Sequence, residues 1–125
     1  MSARFWKRLA RGMAALALLA SASAGAQTYP SKPVKIVVPF GAGGIADLTA
    51  RLVAQKISDA LKQPVLIENC PGAGGITAAD AVAKAAPDGH TLLLISNGTA
   101  VSGNLFKKLP YDTLKGFTPV STIGF

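Results

Sequence analysis

Three short apolar runs rich in branched residues punctuate the chain: Val34 to Pro39 (Val-Lys-Ile-Val-Val-Pro), Val65 to Ile67, and Thr91 to Ile95 (Thr-Leu-Leu-Leu-Ile). Runs with so little polar alternation suit strands covered on both faces, as in a parallel sheet. Between the first two, Ile45, Leu48, Leu52, Val53, Ile57 and Leu61 recur at helical steps and predict one apolar stripe on a helix. Pro64 stops that helix and leaves Lys62 in its last turn. Between the second and third runs, Ile76, Ala79, Val82, Ala83 and Ala86 predict another helix, ended by the turn Pro87-Asp88-Gly89, whose small side chains allow close approach to a sheet. A third helix is expected to begin near Thr99, a turn at Leu109-Pro110-Tyr111-Asp112, and a further strand over Phe117 to Phe125, with Pro119 marking an edge. Strand, helix, strand, helix, strand, under the right-handed crossover rule, gives an α/β fold with a parallel sheet and helices on its faces.

The first 26 residues follow a different logic. Arg4, Lys7, Arg8 and Arg11 precede the apolar stretch Met13 to Ala20, and small residues follow it. That is the pattern of a secretory signal peptide, with cleavage expected after Ala26 of the Ala24-Gly25-Ala26 site. The apolar stretch is far below the roughly 20 residues that span a bilayer. No cysteine lies near the boundary to carry a lipid anchor. The expected location is therefore the periplasm, as a soluble chain beginning at Gln27. Of 13 Lys and Arg, four leave with the signal, so nine stand against six Asp and Glu, a mature balance of +3. Most of the basicity belongs to the signal and does not argue for nucleic acid; the remainder suits an anionic ligand.

Gly41-Ala42-Gly43-Gly44-Ile45 follows the first predicted strand, and Gly72-Ala73-Gly74-Gly75-Ile76 follows the second, 31 positions later. Glycines there remove side chains from the turn, so the unpaired N–H groups opening the next helix, aided by its dipole, can approach an anion. Loops at the carboxyl ends of neighbouring parallel strands share a crevice. Ser96-Asn97-Gly98-Thr99, after the third strand, adds hydroxyls and an amide to it. Neither glycine loop has the ending of a P-loop or the spacing of a dinucleotide fingerprint. Asp47 falls in the first turn of its helix, where a carboxylate offsets the dipole or, facing the crevice, would repel a second carboxylate. His90, the one histidine, is expected at a surface or strand edge rather than as a catalytic base; Ser96 has no evident base partner; Cys70, the one cysteine, is expected as a small filler. No metal-ligating cluster is present in the sequence.

The ordered set Tyr29-Pro30-Ser31-Lys32-Pro33, Val37-Val38-Pro39-Phe40-Gly41-Ala42-Gly43-Gly44 with Asp47 and Arg51, Gln63-Pro64-Val65, Glu68-Asn69, Pro71-Gly72-Ala73-Gly74-Gly75, Ala86-Pro87-Asp88-Gly89 with Thr91-Leu92-Leu93, and Leu109-Pro110-Tyr111-Asp112 resembles the Bug family, the substrate-binding proteins of tripartite tricarboxylate transporters. The resemblance covers essentially the whole mature chain. It implies a type II periplasmic binding protein, a two-lobed Venus flytrap. Such a protein captures a small carboxylate, a di- or tricarboxylate or related organic acid, without chemical change and delivers it to the transporter's membrane components. It further implies no catalytic residue, cofactor, metal or nucleic-acid partner, and a monomer. Carried over residue by residue, the implied ligand contacts are Phe40, Gly41, Ala42, Gly43, Gly44 and Asp47, then Gly72, Ala73, Gly74, Gly75 and Ile76, then Ser96, Asn97, Gly98 and Thr99. Members of this family run to roughly 300 residues, a size at which chains divide into two domains. Residues 27–125 are therefore expected to form an incomplete first lobe, lacking the second, and to bind at millimolar level or weaker. Two other readings stand beside this one: a truncated product that retains the signature without the function, and an exported α/β enzyme using Ser96 or His90.

Overall fold

The computed structural model describes residues 28–106 and 108–124. The expected signal peptide and its cleavage site lie outside the described residues. The elements in order are β1 (Val34–Val38), α1 (Ile45–Leu61), β2 (Val65–Asn69), a tight turn (Ala73–Gly75), α2 (Ile76–Ala83), β3 (Thr91–Leu93) and α3 (Asn97–Leu105). The three strands form one parallel sheet in the order β2-β1-β3, with Val34 opposite Val65 and Val37 opposite Leu93. The ladder runs one step past the strands, since Cys70 N donates to Val38 O at 2.8 Å and Leu94 N to Val37 O at 2.9 Å.

Why β1 is central follows from its side chains. Ile36 and Val38 on one face and Val37 on the other are all buried, so the strand requires cover on both sides. The right-handed crossover from β1 to β2 lays α1 on the Ile36 and Val38 face, where Ala50 and Ala54 complete the core with Ala46, Val65, Ile67, Leu92 and Leu94 around it. The second crossover runs the opposite way, from β2 past β1 to β3, so α2 covers the other face and packs against β3 and β1 through the fully buried Ala78 and Ala79.

Several expectations are corrected at this level. The stripe read on α1 is not the face that meets the sheet: Ile45 is 86%, Leu48 55% and Leu52 68% exposed. The helix instead turns inward the alanines at 46, 50 and 54, whose small side chains let its backbone come close to Ile36 and Val38. Val53 and Ile57 lie at the margin, half-buried. Lys62 lies beyond the last turn as the left-handed C-cap, at φ 55°. The second helix ends at Ala83 rather than running to Ala86. The third begins at Asn97, two residues before Thr99, because Ser96 caps it by accepting from Thr99 N at 3.4 Å. The chain bends at Pro110 and Tyr111, inside the turn expected at Leu109 to Asp112, and a second turn not foreseen follows at Asp112 to Gly116, where the Asp112 carboxylate accepts from Leu114 N at 2.8 Å and Lys115 N at 2.9 Å. Those backbone donors, Lys115 foremost, lower the Asp112 pKa. Residues 117–124 form no strand, because they pair with neither open edge of the sheet.

Candidate functional site

The carboxyl ends of β1, β2 and β3 open into three loops, and the second crossover carries the middle of the second loop across to the other two. Gly75 marks the meeting point. A Cβ built there would stand 2.6 Å from Thr99 Oγ1 of the third loop and 3.3 Å from Pro39 Cβ at the end of β1. Only glycine fits this space, and its φ of +94° independently favours glycine. One step away, Gly98 lies against the carbonyl of Gly74. The gap between β1 and β3, where successive crossovers diverge to opposite faces, is where parallel α/β sheets place ligands.

The two five-letter repeats occupy corresponding places but adopt different shapes. In the first, Gly43 has φ +84° and Gly44 is extended at φ −78°, ψ 170°. In the second, Gly72, Ala73, Gly74 and Gly75 all have positive φ. The cause lies three residues into each helix. Asp47 reaches back so that its Oδ2 accepts from Gly43 N at 2.8 Å, a variant of the capping box, whereas α2 carries Ala78 at that position and has no such tether.

Both glycine-led helices leave their opening N–H groups without a side-chain cap: Gly44 precedes α1, Gly75 precedes α2, and neither supplies one. In α3, by contrast, Ser96 serves its own helix, and its hydroxyl also lies 3.3 Å from Thr99 Oγ1. Backbone donors and the partial positive charge of a helix start are thus available at the carboxyl ends of both β1 and β2, which are neighbours in the sheet. Gly41, Ala42, Gly43, Gly44, Gly72, Ala73, Gly74, Asn97 and Gly98 are exposed along this shelf, with the Phe40 ring 42% exposed at its side. Ile76 and Ser96 are half-buried, and Thr99 is buried behind Gly75.

Asp47 is turned to the chain's own donors. At 2% exposure it accepts from Gly43 N and Arg51 Nε on Oδ2 and from Asn69 Nδ2 at 2.9 Å on Oδ1, and Arg51 Nη2 completes the ion pair 3.0 Å from Oδ1. The Arg51 hydrogen bond, then those from Gly43 and Asn69, hold its pKa down to about 2. The Arg51 cation balances this carboxylate locally, so Asp47 does not set an uncompensated negative charge beside an incoming anion. Sequence reasoning registered Arg51 and Asn69 only as family letters. The Asp-x-x-x-Arg spacing was the available signal, since residues four apart share a helix face.

His90 stands just before β3, as expected, but is buried, edge-on to the Tyr29 ring at 4.9 Å. Its Nδ1 lies 3.0 Å from Asp88 O, and its Nε2 accepts from Ser31 N at 3.3 Å. This structural engagement ties the start of the described chain to the sheet. Asp88 accepts from Lys32 Nζ at 2.7 Å and from His90 N, and these bonds, Lys32 first, bring its pKa to about 2. Cys70 is half-buried at the end of the β1–β2 ladder. A depression of about 590 Å³ lies away from the glycine shelf, on the sheet face that α2 leaves open at Leu66. Its lining charges are already matched, Lys32 with Asp88 and Lys35 with Glu68 at 2.8 Å, so it offers an anion less than the shelf does.

Comparison with known proteins identifies the family and the fold. The family described as "Tripartite tricarboxylate transporter family receptor" (TctC) matches residues 49–124. A UPF0065 protein of Bordetella pertussis is 50% identical over 118 residues, covering 91% of this chain and 36% of its own length. Protein BugT of the same organism is 44% identical, covering 83% and 32%. Among solved structures, the periplasmic binding protein BugD superposes with a TM-score of 0.69 at 41% identity, over 73% of this chain and 30% of that one. MatC from Rhodopseudomonas palustris, with bound malate, gives 0.68 at 47% identity, over 74% and 32%. A further R. palustris protein, with adipate, gives 0.64 at 36% identity, over 68% and 29%. The chain thus spans about a third of the length of the relatives it matches, and its sheet and helices correspond to part of one lobe of these binding proteins. On the family match and these likenesses together, the chain belongs to the tripartite tricarboxylate transporter receptor family, TctC, whose members include the Bug proteins.

Proposed function

We propose that this chain supplies the first part of a carboxylate-binding lobe in an exported receptor, and that its glycine shelf holds one carboxylate group of a small organic acid. The observation that carries this reading is the asymmetry of the three helix starts. The two that open with glycine have no side-chain cap, the second spending its Ile76 N–H on Ala73 O, while the third caps itself through Ser96. Malate and adipate in two structural neighbours supply the ligand class. In this reading residues 1–26 are a signal peptide cleaved after Ala26, residues 27–125 belong to the first lobe, and the receptor works as a monomer in the periplasm. It passes its unaltered ligand to the membrane components of a tripartite transporter and uses no cofactor. Asp47 acts by shaping the loop, and the exposed glycines make the direct contacts.

Backbone donors recognise a carboxylate whatever it is attached to, so this shelf sets the class of ligand rather than its identity. Charge-assisted hydrogen bonds contribute about 1.5–3 kcal/mol each, and a helix start about 0.3–1 kcal/mol. Two or three bonds on an open shelf, set against the cost of association, correspond to a millimolar dissociation constant, about 4 kcal/mol.

The test is calorimetric titration of the full chain with malate and adipate, repeated on Gly44→Val. Gly44 has an ordinary φ, and a Cβ there meets only Gly41 O at 3.7 Å, so valine fills the shelf without straining the backbone. Saturable millimolar binding that weakens at least tenfold in the variant is expected. Equal binding by both proteins would place the carboxylate elsewhere, and no saturable heat with either acid would overturn the reading.

A further inference from the structure

The first glycine loop has one positive-φ residue and no side-chain cap, so something else must hold its shape. Its two ends are tied to a single polar cluster. Asn69, the last residue of β2, donates one amide N–H to Phe40 O at 3.1 Å and the other to Asp47 Oδ1 at 2.9 Å. Its Oδ1 accepts from Arg51 Nη2 at 3.1 Å. Arg51 also donates through Nε to Asp47 Oδ2 at 3.0 Å, and Asp47 Oδ2 in turn accepts from Gly43 N. Arg51, Asp47 and Asn69 thus form a closed ring of hydrogen bonds with two outputs, one at Phe40 and one at Gly43.

We infer that Arg51 and Asn69 are positioning residues for the carboxylate shelf, fixing the first glycine loop through Asp47 and Phe40 without touching the ligand. This rests on the carboxylate reading proposed above. Each residue type is specified by its place in the ring. An aspartate at 69 would set a second carboxylate against Asp47 and an acceptor against the Phe40 carbonyl. A lysine at 51 is a point donor that cannot span both Asp47 oxygens and Asn69 as the guanidinium fork does. The amide orientation of Asn69 is fixed by the same logic, since only its nitrogen can face two acceptors and only its oxygen can face Arg51. One consequence is that Gly43 N–H is committed to Asp47, which leaves the N–H groups opening α1 as the first loop's donors to a ligand.

The experiment combines residue-resolved amide exchange with malate titration on the full chain, comparing wild type with Asn69→Leu, Arg51→Met and Arg51→Lys. Protection of the Gly43 amide is expected to fall at least tenfold in the leucine and methionine variants, while Val38 in the core keeps its protection within about twofold. Malate affinity is expected to fall about tenfold alongside, and Arg51→Lys to recover part of both effects. Asn69→Ser, which introduces no apolar group, replaces the leucine variant should that one not fold. Unchanged Gly43 protection in the Arg51 and Asn69 variants would overturn the inference, as would a loosened loop that still binds malate at wild-type strength. If instead wild type shows the protected Gly43 amide but takes up neither malate nor adipate, the carboxylate reading fails, so the two failures fall on different measurements.

Discussion

A single methyl group at Gly75 strains the meeting point of the second and third loops, and the size of that strain can be worked out in two parts. The first is conformational: alanine at φ +94° lies in a region costing an L-residue about 1–2 kcal/mol. The second is steric. The new Cβ would come within 2.6 Å of Thr99 Oγ1 and 3.3 Å of Pro39 Cβ, and overfilling of a packed site costs about 1–3 kcal/mol. Gly75→Ala is therefore expected to destabilise by about 2–5 kcal/mol. Gly43→Ala and Gly74→Ala provide the control, because both have positive φ, +84° and +66°, yet neither Cβ meets anything within 4 Å. They should cost about 1–2 kcal/mol each, the conformational part alone. Thr99→Ala removes the clashing oxygen, so a double-mutant cycle with Gly75→Ala should return a coupling of about 1–3 kcal/mol. Equilibrium urea unfolding followed by circular dichroism measures all four quantities. A Gly75→Ala cost no greater than that of Gly43→Ala, or zero coupling to Thr99, would mean that the second and third loops do not meet at Gly75.

Val38 has no exposed surface and sits at the end of the central strand, so Val38→Ala should cost about 2–4 kcal/mol in the same unfolding assay; a cost under about 1 would place the core elsewhere. Leu52→Gln should change stability by no more than about 0.5 kcal/mol in this chain, because Leu52 is exposed; a larger loss would show that the outer face of α1 is covered in solution. Asp47 and Asp88 both have pKa values lowered to about 2. Their stabilising effect is therefore complete above the ordinary carboxylate value of about 4 and is lost as pH falls toward 2. The melting temperature should drop across that window, and Asp47→Asn should flatten part of the drop; an unaltered profile in the variant would remove Asp47 as a cause.

The sheet was legible because β1, β2 and β3 are marked by branched apolar runs, and a strand buried on both faces has little freedom to be anything else. The same is true of the glycine loops, whose composition excludes most alternatives to a tight strand-to-helix turn. The face of α1 was not legible from apolar periodicity. Leucine and isoleucine at 45, 48 and 52 carry the larger hydrophobic signal, but the helix closes on the sheet through Ala50 and Ala54, where small volume rather than hydrophobicity determines the fit. The strand expected at the end of the chain failed for a different reason. Strand propensity is realised only against a partner, and Phe117, Val120 and Ile123 have no ladder to join among the described residues.

The repeated glycine sequence also shows how far local similarity extends. Gly-Ala-Gly-Gly-Ile occurs twice at the end of a parallel strand, and in both places it leaves a helix start without a side-chain cap. Yet α1 and α2 lie on opposite faces of the sheet because β1 is central and the two crossovers run in opposite directions. The two starts therefore reach the region above β1 from different sides, which a 31-residue spacing alone does not reveal. Their shapes diverge as well, since Asp47 draws Gly43 back onto its helix while the second loop, lacking a carboxylate, coils through four positive-φ residues to bring Gly75 against Thr99. In the proposed reading a carboxylate rests between a loop tethered through Arg51 and Asn69 and a loop wedged against Pro39. Rigidity on the two sides thus has separate origins, polar in the first loop and steric in the second, and substitutions at Asn69 and at Thr99 should combine additively in stability while each weakens the same ligand contact.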